Sequence, residues 1–206
     1  MADENETYID DSKPQELRVD DCALLVVDML NDFLTDGGVM ALPGAEVIYG
    51  PLAALIAASR AAGMPVIYLN DCHRAGKYDS EFDKRPDHCV EGTWGAQVVD
   101  ELEPNPEDYV IRKRRFSGFY QTDLQLVLTE LEVRRVIVTG VMTNICVRST
   151  VHDAFFLGYD TVVPRDCVFG SSQREQDSSL WDISTCYGMV VDSAEILTLM
   201  PRRSPT

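Results

Sequence analysis

Histidine and lysine are scarce in this chain, with three His and only four Lys among 18 cationic residues. Against these stand 34 Asp and Glu, for a formal net charge of −16. A surface this acidic repels nucleic acid and anionic membranes, so neither is an expected partner. Acidic, lysine-poor surfaces also suit a high-salt cytoplasm, where dense counterions screen self-repulsion. A halophilic source is thus an expectation beside that of an ordinary acidic protein. No run approaches the roughly 20 apolar residues of a membrane span. The first residues, MADENETYIDDSK, are acidic and polar, unlike a secretory signal, and a cytoplasmic location is expected. Six cysteines are present without a CxxC pair, and most sit in or beside apolar runs, which favours reduced thiols over a disulfide framework. There is no internal repeat, low-complexity stretch or linker.

What is present suits one well-cored domain: 206 residues, 45% of them hydrophobic. The expected organisation is a disordered acidic arm over 1–16, a single domain over 17–200 and a loose tail over 201–206. Within the domain, short apolar runs alternate with helical patterns. CALLVV (22–27), PVIYLN (65–70), 109–111, 135–139, 161–163 and 189–191 read as six strands. Val47, Ile48, Leu52, Leu55, Ile56 and Ala62 recur at helical spacing and stop at Gly63. Thr122 with Gln125, and Ser172 with Glu175, predict capping boxes that open two further helices. Another helix is expected over 145–157, opened by Cys146 and closed by Gly158. Uninterrupted apolar strands separated by helices imply a parallel sheet covered on both faces, an α/β three-layer sandwich.

Ligands of such sheets gather at the carboxyl ends of the strands. Asp28 ends the first strand, Asp71 and His73 follow the second, Lys113 the third and Cys146 the fourth. Cys146 could be packing, as free cysteine often is. It could instead be a nucleophile, its thiol acidified by a helix start and a nearby cation such as Lys113. Asp28 could accept the thiol proton if burial raises its pKa, or could cap a turn. His152, two turns beyond Cys146, reads as structural.

Four segments carry a resemblance that covers nearly all of 20–200: LLVVDMLNDF (24–33), VIRKRRFSGF (110–119), VTGVMTNICV (138–147) and AFFLGYDTVVPRDC (154–167). In this order and spacing they resemble the isochorismatase-like cysteine hydrolases, which include nicotinamidases and N-carbamoylsarcosine amidases. The resemblance implies a six-stranded parallel sheet in the order 321456 and a catalytic triad of Asp28, Lys113 and Cys146. It also implies a cis peptide between Val141 and Met142, aiming the Met142 N–H, with that of Cys146, at a developing oxyanion.

The segment 70–96 offers a second constellation. Asp71 and His73 leave the same face of an extended stretch, and His88 could complete a three-ligand site for zinc, iron or manganese. These residues could also merely hydrogen-bond the loop together. Metal-binding nicotinamidases, by the resemblance, place an Asp-x-His and a later His here. One divalent metal, zinc foremost, is expected, and no organic cofactor.

Two tryptophans usual in nicotinamidases are Cys72 and Arg85 here, and a usual glutamine is Leu30. Phe33 remains as an aromatic wall, and Arg85 could grip a substrate carboxylate or simply face solvent. The expected activity is cysteine-dependent hydrolysis of a small amide or carbamoyl C–N bond, releasing ammonia through a thioester. Vinyl-ether hydrolysis of isochorismate and a non-catalytic binding module are the alternatives. Relatives self-associate, so a homodimer or homotetramer is expected.

Overall fold

The computed structural model describes residue 16 and residues 18–200. The arm and tail expected at the two ends, apart from Glu16, lie outside the described residues. Among these residues seven strands form one parallel sheet: β1 (Cys22–Val27), β2 (Val66–Asp71), β3 (Tyr109–Lys113), β4 (Arg135–Val141), β5 (Asp160–Pro164), β6 (Val168–Phe169) and β7 (Met189–Val191). Their order is β3-β2-β1-β4-β5-β7, and the two-residue β6 pairs with the end of β4 through Gly140↔Val168 and Val141↔Phe169. The six expected strands and their 321456 order are thus present, with β6 added. Among the described residues six α-helices flank the sheet: α1 (Asn31–Leu34), α2 (Tyr49–Ala62), α3 (Leu124–Glu130), α4 (Arg148–Phe156), α5 (Gln173–Asp182) and α6 (Ser193–Leu199). Among the described residues, no helix is long and apolar enough to cross a membrane.

Side chains alternate across a strand, and here both faces are dry. Leu24 and Val26 of β1 face Leu52, Leu55 and Ile56 of α2 and Ile196 of α6. Ala23, Leu25 and Val27 face Leu124 and Leu128 of α3 and Val151 and Ala154 of α4. This double burial explains why β1 reads as an unbroken apolar run. Gly63 closes α2 in the left-handed conformation, as its position predicts.

Several local expectations are corrected. Asp123, not Thr122, precedes α3, and no side chain caps that helix. The Thr122 hydroxyl instead donates to the Gly118 carbonyl and accepts from the Leu124 N–H at 3.3 Å, making a turn of its own. Ser172 does cap α5, accepting from the Glu175 N–H at 3.3 Å. A reciprocal capping box forms at Asp192 and Glu195, ahead of α6. Cys146 does not open an α-helix; it lies in a π-helical turn, Thr143–Val147, from which α4 continues. His152 is structural in its contacts, its ring 4.1 Å from that of Tyr187.

The chain leaves β1 toward β2 and β3, then returns to β4 on the other side of β1. The carboxyl ends of β1 and β4 therefore diverge into the crevice where open α/β sheets bind ligands. Gly140 holds these strands together just below it. Its φ is +100°, and a Cβ there would lie 2.0 Å from the Val27 carbonyl oxygen. Gly140→Ala should therefore cost at least about 3 kcal/mol, read as a fall in urea-unfolding free energy. A loss under about 1 kcal/mol would show that the two strands separate without penalty.

Candidate active site

Three strand ends converge on one buried cluster. Asp28 follows β1, Lys113 ends β3 and Cys146 lies just beyond β4. Lys113 reaches it because Ile111 and Lys113 share the inward face of β3 and the lysine stem crosses the end of β2. Lys113 and Asp28 are fully buried, and Cys146 is 4% exposed. Lys113 Nζ lies 2.8 Å from Asp28 Oδ2 and 3.7 Å from Cys146 Sγ. Asp28 Oδ1 accepts the Asp71 N–H at 2.7 Å. Its Oδ2, although paired in charge with Lys113, makes no well-angled hydrogen bond and keeps a lone pair free.

The electrostatics follow from burial. Burial pushes the Asp28 carboxyl up to about 6, against the opposing pull of Lys113. Burial also opposes the Lys113 charge, but Asp28, Cys146 and Asp71 outweigh it and keep the ammonium charged. The Cys146 thiol was expected to be acidified. Burial instead drives it well above the ordinary value, and the pull of Lys113 does not compensate. The resting arrangement is therefore a carboxylate, an ammonium and a neutral thiol.

The peptide bond between Val141 and Met142 is cis. Cys146 is fixed from behind by Thr150, whose hydroxyl donates to the Cys146 carbonyl at 2.7 Å and accepts the Gly118 N–H at 3.0 Å. That pair ties the segment after β3 to the segment after β4. Asn144 and Ser171 exchange two hydrogen bonds of 3.0 Å, anchoring the π-turn to the loop after β6.

Asp71, His73 and His88 form a second buried group beside the first, with one donor atom from each lying within 4.8 Å of the others. Asp71 Oδ2 is 3.3 Å from His73 Nε2 and 3.4 Å from His88 Nε2. His73 Nδ1 faces Asp79 Oδ2 at 2.9 Å, and His88 Nδ1 faces the Pro86 carbonyl at 2.8 Å. Both rings thus turn Nε2 inward with Nδ1 held from outside, as ligating imidazoles of a metal site do. Burial would lower the His73 pKa, but Asp71 and Asp79 outweigh it and raise it to about 9. The group calls for positive charge, from protons or from a divalent cation. His73 Nε2 is buried without a hydrogen-bond partner beside Asp71 Oδ2 and His88 Nε2, so the donor set fits a cation.

The two expected substrate contacts differ in placement. Phe33 is buried with its ring 5.7 Å from that of His88, so it belongs to this site. Arg85 lies with its guanidinium 5.2 Å over the Phe116 ring. Sequence reasoning missed Asp79, Thr150 and Asp32. Asp32 accepts the Cys89 N–H at 2.7 Å and so holds the loop carrying His88 against α1. An acid in the first turn of a helix is a common partner of the helix start, and nothing in the sequence marks this one as a long-range staple.

The sequence matches the isochorismatase domain over residues 22–195. An isochorismatase-like hydrolase from Alkaliphilus metalliredigens is 34% identical, with a TM-score of 0.82 over 86% of this chain and 97% of that one. The N-carbamoylsarcosine amidase of Thermoplasma acidophilum is also 34% identical, with a TM-score of 0.75 over 84% of this chain and 96% of that one. A zinc complex of the pyrazinamidase of Pyrococcus horikoshii is 29% identical, with a TM-score of 0.78 over 84% of this chain and 99% of that one. Domain match, strand order and relatives agree, and the chain belongs to the isochorismatase family of hydrolases.

Proposed function

We propose that this hydrolase cleaves the C–N bond of a small amide or carbamoyl compound, releasing ammonia through a thioester on Cys146. The carrying observation is the buried contact of Lys113 Nζ with Asp28 Oδ2 and Cys146 Sγ, at 2.8 and 3.7 Å. Similarity to an N-carbamoylsarcosine amidase and a pyrazinamidase supports the bond type. Vinyl-ether hydrolysis has no use for a thiol set beside an acid and an amine.

In the first half-reaction Asp28 takes the Cys146 proton while Lys113 stays charged between them. The sulfur attacks the carbonyl carbon, and the oxyanion lies toward the Met142 and Cys146 N–H groups. Asp28 returns the proton to the departing nitrogen as the C–N bond breaks, leaving ammonia and the thioester. In the second half Asp28 draws a proton from water, hydroxide attacks the thioester, and the proton returns to the leaving thiolate. A carboxyl pKa lifted to about 6 suits a group that must both accept and give a proton near neutrality. The raised thiol pKa means that thiolate forms with substrate in place, not at rest.

A divalent cation, zinc first, would be held by Asp71, His73 and His88, and when bound supplies a Lewis-acidic centre beside the thiol. Asp79 orients His73 through Nδ1, and the Pro86 carbonyl does the same for His88. Phe33 forms an apolar wall against His88 and contributes to substrate binding. Arg85 contributes only where a substrate carboxylate draws it away from Phe116.

Ammonia release should be measured across nicotinamide, pyrazinamide, N-carbamoyl amino acids, maleamate and ureidoacrylate; a preference of about tenfold, or 1.4 kcal/mol, identifies the substrate class. Cys146→Ala should lower turnover at least about 10³-fold, and mass spectrometry of a quenched wild-type reaction should find the acyl group on Cys146. Retained turnover, or acylation elsewhere, defeats the mechanism. Iodoacetamide is a poor probe because Cys186 is exposed and Cys146 buried.

Lys113→Ala should cost about 3–5 kcal/mol by stranding buried carboxylates, and Asp28→Asn added to it should recover part of that loss. Additive losses in urea unfolding would argue against the pair. Protein purified without a histidine tag should carry close to one equivalent of metal, and a content below about 0.2 equivalents counts against the site. Asp79→Ala should weaken metal affinity about 10–100-fold without removing a ligand; unchanged affinity would show that His73 needs no such support.

A further inference from the structure

Positive charge is thin on this protein, so the place where it gathers carries information. Four of the 18 cationic residues, Arg74, Lys77, Arg114 and Arg115, line one surface cleft of about 400 Å³. It lies between the loop after β2 and the segment after β3. Asp79 is the only acid among the lining residues. Its carboxylate is already engaged, by Arg115 Nη1 at 3.2 and 3.3 Å and by His73 Nδ1 at 2.9 Å. Arg114 donates to the Cys72 carbonyl and lies 3.7 Å from Glu91. Among the described residues, the exposed side chains of Arg74 and Lys77 make no hydrogen bond or ion pair.

The remaining lining residues are neutral: Ser80, Gln121, Tyr78 and Tyr120. The tyrosines are 82% and 53% exposed, which offers ring surface to a ligand. The lining thus carries three positive charges in excess on a chain of net charge −16. Glu91 lies beside Arg114, and Asp83 accepts from the Tyr78 hydroxyl at the cleft's edge, so Arg74 and Lys77 are the charges left to attract an anion. Arginine forks and an ammonium together match the three oxygens and double charge of a phosphate better than a single carboxylate.

We propose that this cleft binds a small phosphate monoester, its phosphate held by Arg74, Lys77 and Arg114 and its organic part covered by Tyr78 and Tyr120. None of these side chains belongs to the Asp28–Lys113–Cys146 cluster, so the proposal is independent of the amide-hydrolysis reading.

The test is calorimetric titration of the whole protein at low ionic strength, with AMP, inorganic phosphate and uncharged adenosine as probes. AMP should bind saturably at one per chain and at least threefold more tightly than phosphate, and adenosine should not bind. Arg74→Ser with Lys77→Ser should weaken AMP binding at least tenfold and leave the melting temperature unchanged. Arg115 is left intact because its pair with Asp79 supports His73. Removing the same charge elsewhere, with Arg134→Ser and Arg174→Ser, should leave AMP affinity within twofold. Equal affinity for phosphate and AMP would overturn the assignment to a monoester. Non-saturable binding, binding indifferent to the cleft variant, or an equal loss in the two double variants would overturn the site.

Discussion

An ammonium with no exposed surface, pressed between two carboxylates and a thiol, is the constraint on which this structure turns. Lys113 Nζ is 2.8 Å from Asp28, 3.7 Å from Cys146 and 4.0 Å from Asp71. A lone buried ion costs several kcal/mol, so none of these charges is tolerable without the others. The partition between the two acids is unequal. Burial dominates at Asp28 and lifts its carboxyl toward neutrality. At Asp71 burial also raises the pKa, but Lys113 and the two imidazoles overcome it and hold the carboxyl well below its usual range. Neighbouring acids with pKa values pushed apart can take different tasks, which in the proposed mechanism are proton exchange and the holding of a cation.

Neither task could be done by loosely held groups. The Asp71 main chain holds Asp28, Asp79 and Pro86 set the two imidazoles, and Thr150 braces Cys146. Most of these supports come from the ends of neighbouring strands and their following loops. The close approach at Gly140 fixes how far apart β1 and β4 begin to diverge. Sheet geometry and site geometry are therefore one problem.

Much of this was legible in the sequence, for identifiable reasons. Strands buried on both faces show as unbroken apolar runs, so CALLVV and VIYLN declared themselves and the sheet order accompanied the family resemblance. The third strand runs on to Lys113, beyond its expected end, because a charge at its inward-facing terminus looks like a loop residue. The two residues of β6 are too few to make a pattern. The Asp192–Glu195 box has the same spacing as the Ser172–Glu175 pair and is equally legible. Hydrophobic spacing does not separate a π-helical turn from an α-helical one, so the sequence predicts an α-helix where Cys146 sits in a π-turn. The sign of its pKa shift depended on burial, which appears only after folding. Asp79 was hidden among the many acids of a loop whose path no local propensity determines.

The strand order has a consequence for how the protein acquires its chemistry. Asp28, Lys113 and Cys146 are widely separated in the chain and come from β1, β3 and β4, which are joined by crossovers and not by hairpins. The three meet only once the crossovers from β1 to β2, β2 to β3 and β3 to β4 have all closed. Parallel pairing of this kind pays its loop entropy early and is rewarded late. Recovery of catalysis during refolding would accordingly trail the recovery of helical signal, which makes enzymatic turnover a clock for the final docking of the sheet.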